Sequence, residues 1–220
     1  AGLPLPLLPV QILWLNLVTN GIQDVALAFE PEEGDVLDRP PRSPTERIFN
    51  RIMIERTVVS ALVIGVLGFV AFDQLLARGL SEAAARNHLL LLIVLFEIAN
   101  IGNARSETTS LFRLSPLRSP ILLAGTLAAM AIHVGAMYLP IGQVILGAAP
   151  VPLETWLVLG AVAATIAVAI ELHKLSWRSR YASRRTRPPA AAESGEREEA
   201  EPSEPDETRS TERGDVDDDR

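Results

Sequence analysis

Cysteine is missing from all 220 residues, which rules out disulfides and thiolate metal sites. The three histidines, His88, His133 and His173, are too scattered to make a zinc cluster. No Gly-rich phosphate loop, nucleophile elbow or His-Glu-x-x-His run occurs, so a soluble catalytic constellation is absent and no catalytic residue is assigned. A basic leader with a cleavage site is also missing, so no signal peptide is expected. Ala1 opens in mid-loop without an initiator Met, as expected of a cut through a longer protein or of a chain whose upstream part lies elsewhere.

What is abundant is apolar. Hydrophobic residues make up 48% of the chain and the mean hydropathy is +0.23, but that average joins two regimes. From Pro189 to Arg220 thirteen acidic residues stand against four arginines, a net charge of −9, so the preceding part carries +2 within a total of −7. The low pI therefore belongs to the tail and says nothing about the partners of the body; no nucleic-acid partner is expected. The tail is rich in Glu, Ser, Pro and Arg. It cannot bury a core and should be disordered.

Five apolar runs fill the body, at about 7–29, 57–77, 88–104, 120–139 and 154–174, long enough to cross a bilayer as helices. The sequence thus predicts an all-α, multi-pass transmembrane bundle over 1–176. A basic juxtamembrane segment and the disordered acidic tail follow over 177–220. Between the runs lie a proline-rich polar loop after Phe29, a hairpin over Arg78 to Asn87, a polar turn over Arg105 to Ser119, and a loop over Pro140 to Leu153.

Arginine marks every second loop. Arg39, Arg42, Arg47, Arg51 and Arg56 follow the first run, and Arg105, Arg113 and Arg118 the third. Lys174, Arg178, Arg180, Arg184, Arg185 and Arg187 follow the fifth, whereas the alternate loops hold only Arg78 and Arg86. By the positive-inside rule the N-terminus is extracytoplasmic and the tail cytoplasmic, in a cell membrane. Trp177 and Tyr181 fit the interface, where the arginines beside them either touch anionic lipid heads or serve as a plain topology anchor. Gly65 and Gly68 read as helix-packing positions.

The first run carries a polar stripe: Asn16, Thr19, Asn20, Gln23 and Asp24 share one helical face, with Trp14, Val18, Ile22 and Val25 on the other. Gly21 weakens the helix in the middle of that stripe. Glu97 lies near the centre of the third run, with Asn100 one turn on. A carboxylate at bilayer depth costs about 2.5–3.5 kcal/mol and needs a partner or a proton. If the third helix packs on the first, Glu97 meets Asn16, Thr19 and Asn20, with Asp24 at the edge of reach. Such an oxygen-rich cage suits a hard cation such as Ca2+, Na+ or K+. The competing reading is that the amides and the hydroxyl only hydrogen-bond the helices together; five polar side chains and a glutamate on one stripe favour the ion site. His133, isolated in mid-span, reads as a helix-packing hydrogen-bonding group.

The run from Pro9 to Gly21, then Ala26-Leu-Ala-Phe29 and Asp38-Arg-Pro-Pro-Arg42, resembles the sixth membrane helix and following loop of type II P-type cation-transporting ATPases, of which the sarcoplasmic-reticulum calcium pump is the best-known member. Glu97-Ile-Ala-Asn100, with Ser106-Glu107 and Leu111-Phe-Arg113 after it, resembles the eighth helix and its exit loop, and Gln143 to Leu157 the last outer loop and tenth helix. The resemblance covers about Gly2 to Leu175. It implies that the first helix is unwound, that Asn16, Thr19 and Asn20 occupy the family's Asn, Thr and Asp ligand positions, and that Glu97 is the eighth-helix ligand. It also implies that the segment Glu30 to Arg56 contacts the phosphorylation domain and the stalk.

Two departures qualify this. Asn20 stands where the calcium pumps have an acid, which removes one negative charge and weakens a divalent site more than a monovalent one; Asp24 is the residue that would restore it. The family's Asp-Lys-Thr-Gly-Thr sequence, nucleotide-binding domain and first five helices are not in this chain. The resemblance therefore implies the C-terminal membrane portion of an ATP-driven cation pump, unable to hydrolyse ATP alone. The implied partners are membrane lipid and the N-terminal catalytic part of the pump, where ATP and Mg2+ would act. A non-catalytic scaffold or relic of that domain is the alternative, and an unrelated secondary transporter a third.

Overall fold

The computed structural model describes residues 2, 4–31, 51–106, 110 and 115–185, with side chains as far as residue 180. The loop holding Asp38 to Arg42, the residues Glu107 and Leu111 to Arg113, and the acidic tail lie outside the described residues. Every regular element within them is helical: α1 (Pro9–Trp14), a π-helical turn (Leu15–Asn20), α2 (Gly21–Leu27), α3 (Arg51–Ala77), α4 (Glu82–Ala104), a 3-10 turn (Pro116–Arg118), α5 (Pro120–Tyr138), α6 (Pro140–Leu146) and α7 (Leu153–Arg185). The helices α3, α4, α5 and α7 are each long and apolar enough to cross a membrane. The first helix joins them because its backbone stays right-handed helical through Trp14, Asn20 and Gly21. Pro9 to Leu27 then rises about 28 Å, close to the hydrocarbon thickness of a bilayer.

Local chemistry sets the ends. Proline opens α1, α5 and α6 at the first turn, where its missing N–H costs nothing. Ser81 Oγ accepts the Ala84 N–H at 3.3 Å, and Arg86 pairs with Glu82 at 2.8 Å. These contacts start α4 inside the stretch that reads as a polar hairpin, leaving only Arg78 to Ser81 as the turn. Gly79, at φ +85°, permits it: the Leu80 N–H reaches Leu75 O at 3.2 Å and the Gly79 N–H reaches Leu76 O at 2.9 Å, a Schellman end. Likewise α3 already includes Arg51, ahead of the apolar run, with Arg51 and Glu55 paired at 2.7 Å. The loop after Tyr138 contains α6, which Gly147 ends in the left-handed region at φ +62°.

The central helix is α4. Leu90, Leu91, Leu92, Val94 and Phe96 are fully buried, as suits a helix apolar nearly all round. Leu91, Leu92 and Phe96 pack with Met137 of α5 and with Leu159, Ile166 and Ile170 of α7. Leu90 and Val94 pack with Leu15 of the π-helical turn, and Leu89 and Ala85 with Phe72 of α3. Leu17, Leu62, Phe69, Leu127 and Leu157 stay exposed on the outer faces, where a bilayer would meet them.

Lipid is as apolar as leucine, so close packing and polar contacts must fix the helices. A Cβ at Gly125 would lie 2.8 Å from Ala26 Cβ, so α5 touches α2 almost backbone to backbone. Gly68 faces Leu89, whereas Gly65 is exposed with nothing near it; of that pair only Gly68 packs. Trp14 Nε1 donates to His133 Nδ1 at 3.2 Å, the helix-packing bond expected of that histidine. At the end where α1 begins, Gln11 Nε2 donates to Leu146 O at 2.8 Å. There Asn87 also exchanges two bonds with the Ala149 backbone at 2.9 and 3.1 Å. At the opposite end Arg56 donates to Asn103 O at 3.0 Å, and Glu55 takes Arg180 at 3.1 Å.

Replacing Gly125 with leucine should force α2 and α5 apart and cost about 1–3 kcal/mol. Gly65→Ala should change stability by no more than about 0.5 kcal/mol. Reversible unfolding in detergent micelles measures both; equal effects would contradict the packing described.

Candidate functional site

Gln11, Leu15, Thr19 and Gln23 follow one another at four-residue steps and all are buried. In a regular α-helix each such step drifts by about 40°, so the stripe would wind about 120° round the axis. The π-helical turn reduces that drift. The Gly21 N–H bonds to Asn16 O, five residues back, and the wider turn keeps the four residues on one face. Gly21 leaves room for the contact, since a Cβ there would lie 3.2 Å from Asn16 O. The expected break at Gly21 is therefore a widening just before it, and the helix continues rather than unwinding.

The turn also splits the polar stripe in two. Thr19 and Gln23 point into the bundle, while Asn16 and Asp24 are exposed and Asn20 is half-buried between them. From α4, Glu97 lies next to Thr19 and Asn20, with Asp24 close enough to act on its charge. The Thr19 hydroxyl donates to Leu15 O at 2.5 Å, which leaves its oxygen able to act only as an acceptor. Glu97 Oε2 is buried without a hydrogen-bond partner. Asn100 is half-buried one turn beyond. Of the six residues singled out from sequence, the fold thus gathers Thr19, Asn20 and Glu97, keeps Asp24 beside them, and turns Asn16 outward.

An ion pair sets the register of the two helices. Arg105 Nε and Nη2 donate to Glu30 Oε1 at 3.0 and 2.9 Å, with side chains only 5% and 12% exposed. Leu15 beside Val94, Thr19 beside Glu97 and Glu30 beside Arg105 form successive rungs between helices that run the same way. Arg105 Nη1 also holds Ser115 O at 3.1 Å.

Among the described residues no three His, Cys, Asp or Glu side chains cluster as a metal site. The donors here are one carboxylate, amide oxygens and a hydroxyl, a hard-oxygen set without soft ligands. Sequence reasoning placed Gln23, which is 1% exposed with Nε2 unpartnered, on the polar stripe but not among the candidate ligands, and passed over Gln11. Each is an amide in an apolar run, the same signal that marked Asn16.

Residues 4–176 match the family model described as "Cation transporting ATPase, C-terminus". The chain is 36% identical over 140 residues to a calcium-transporting ATPase of Bacillus subtilis, covering 63% of this chain and 16% of that protein. It is 30% identical over 169 residues to the probable cation-transporting ATPase F of Mycobacterium tuberculosis, covering 77% and 19%. To the mouse calcium-transporting ATPase type 2C member 2 it is 30% identical over 175 residues, covering 79% and 18%. The chain spans less than a fifth of the length of each of these relatives.

Cutting the Glu30–Arg105 pair on one side, by Glu30→Gln, should cost about 3 kcal/mol because a buried guanidinium loses its counter-charge. The double variant Glu30→Met with Arg105→Met should recover most of that. Unfolding free energies of the three proteins decide it; a single variant as stable as the parent would remove the pair as the register device.

Proposed function

The chain belongs to the cation transporting ATPase C-terminus family, and from that premise we propose that it supplies half of the intramembrane cation site of an ATP-driven pump. The observation that carries this reading is the Glu97 carboxylate facing Thr19 and Asn20 in a segment where charge is costly. Asn16 and Asp24 stand on the adjoining outward stripe, among the exposed Leu13, Leu17 and Val25. An amide facing lipid near mid-depth is unfavourable, so this face is read as covered by the remaining helices of the pump. A hard cation such as Ca2+ takes 6–8 oxygens; Asn16, Thr19, Asn20, Asp24, Glu97 and Asn100 supply some and the N-terminal, catalytic part the others.

In the intact pump ATP and Mg2+ act at that other part, and phosphorylation there reshapes the cage so that it opens to each side of the membrane in turn. The arginine-bearing end, where Arg56, Arg105, Arg118 and Lys174 meet the chain, is placed in the cytoplasm together with the tail. The transported cation is Ca2+, Na+, K+ or another. The amide at Asn20 lowers the charge of the site, and Asp24 restores it one turn away. A second reading is a non-catalytic scaffold in which the polar groups only hold the helices together, as Trp14 does on His133.

ATPase assays of the intact pump across Ca2+, Mn2+, Na+ and K+ separate the two. Glu97→Gln should raise the half-activating concentration of the transported cation at least tenfold, about 1.4 kcal/mol. Asp24→Asn should weaken a divalent cation more than a monovalent one. Wild-type activation by every cation in the Glu97→Gln pump would leave only the packing reading.

A further inference from the structure

Two buried polar atoms near the Thr19–Glu97 contact lack hydrogen-bond partners: Glu97 Oε2 and Gln23 Nε2. Gln23 is 1% exposed and sits one turn beyond Thr19 on the inward stripe. The rungs at Leu15–Val94, Thr19–Glu97 and Glu30–Arg105 place that turn just past Glu97 along α4. The close approach of Gly125 to Ala26 and Ile22 presses α2 onto α5 and keeps Gln23 inside. One orphan is an N–H donor and the other a carboxyl oxygen that can accept. An unsatisfied buried polar group costs about 1–3 kcal/mol, which a methionine of similar size at position 23 would avoid.

We propose that Gln23 is a positioning residue for Glu97: in the cation-loaded pump its Nε2 donates, directly or through one water, to Oε2, and leaves the other carboxylate oxygen to the Thr19–Asn20 side. Gln23 adds no charge and need not touch the cation. Its contribution is to fix one rotamer of the Glu97 carboxylate, so that binding does not have to order it. The inference rests on the cation-site reading above and deepens it.

The test uses the intact pump with Ca2+, Mn2+, Na+ and K+ each as the probe, comparing wild type, Gln23→Met, Glu97→Gln and the double variant. Gln23→Met should raise the half-activating concentration about fivefold with maximal turnover changed less than about twofold, and should add less than about 1.5-fold once Glu97 is Gln. Its thermal midpoint without cation should hold or rise, because an unpaired donor is gone. Gln23→His, which retains a donor, should recover part of the affinity. An unchanged half-activating concentration in Gln23→Met, an effect of equal size with and without the Glu97 carboxylate, or a loss of affinity that follows a lowered midpoint would each overturn the proposal. If Glu97→Gln itself is silent, the cation-site reading fails first and this inference falls with it.

Discussion

One backbone hydrogen bond, from the Gly21 N–H to Asn16 O, sets the geometry of everything around it. A regular helix would carry Gln11 and Gln23 about 120° apart, and only one of them could stay buried beside Thr19. The π-helical turn keeps Gln11 on the Leu146 carbonyl at one end and Thr19 on Glu97 in the middle. It also holds a second stripe, Asn16, Asn20 and Asp24, at the same four-residue spacing beside the first. π-bulges of this kind are frequent at functional sites; this one lets two polar stripes run parallel to the helix axis.

The bilayer supplies the second constraint. Helices in lipid gain little from burying leucine against leucine, so the bundle is fixed where polar groups or missing side chains demand a particular neighbour. Asn87 on the Ala149 backbone, Arg105 on Glu30 and Gly125 against Ala26 are such points. They hold α4 and α5 on either side of the first helix and leave a third side open. That open side carries Asn16 and Asp24.

Much of this is legible in the sequence. Four of the five apolar runs lie in helices long and apolar enough to cross a membrane, and the first forms a helix with a π-helical turn inside it, since hydropathy over some twenty residues leaves little choice of structure. The Glu97–Thr19 meeting followed from the cost of a carboxylate at depth. The ends were harder: α4 reaches back to Glu82 because Ser81 caps it, and α6 hides in a stretch whose prolines read as loop although Pro140 opens a helix. The π-helical turn left no composition mark beyond Gly21, because it depends on how four-residue spacing is met by α4 and α5. Gln23 was visible as part of the stripe, but its burial was decided by the approach of Gly125, a residue about a hundred positions away.

The central claim is that the outward stripe faces a cation path rather than lipid. The chain has no cysteine of its own, so single cysteines placed in it can be compared against the same pump without them. Asn16→Cys and Leu13→Cys can be compared for reaction with a small, charged thiol reagent, with and without the transported cation. The account predicts that position 16 reacts and is protected by the cation while position 13 is inert. Position 16 as inert as position 13, or reactive regardless of cation, would contradict it.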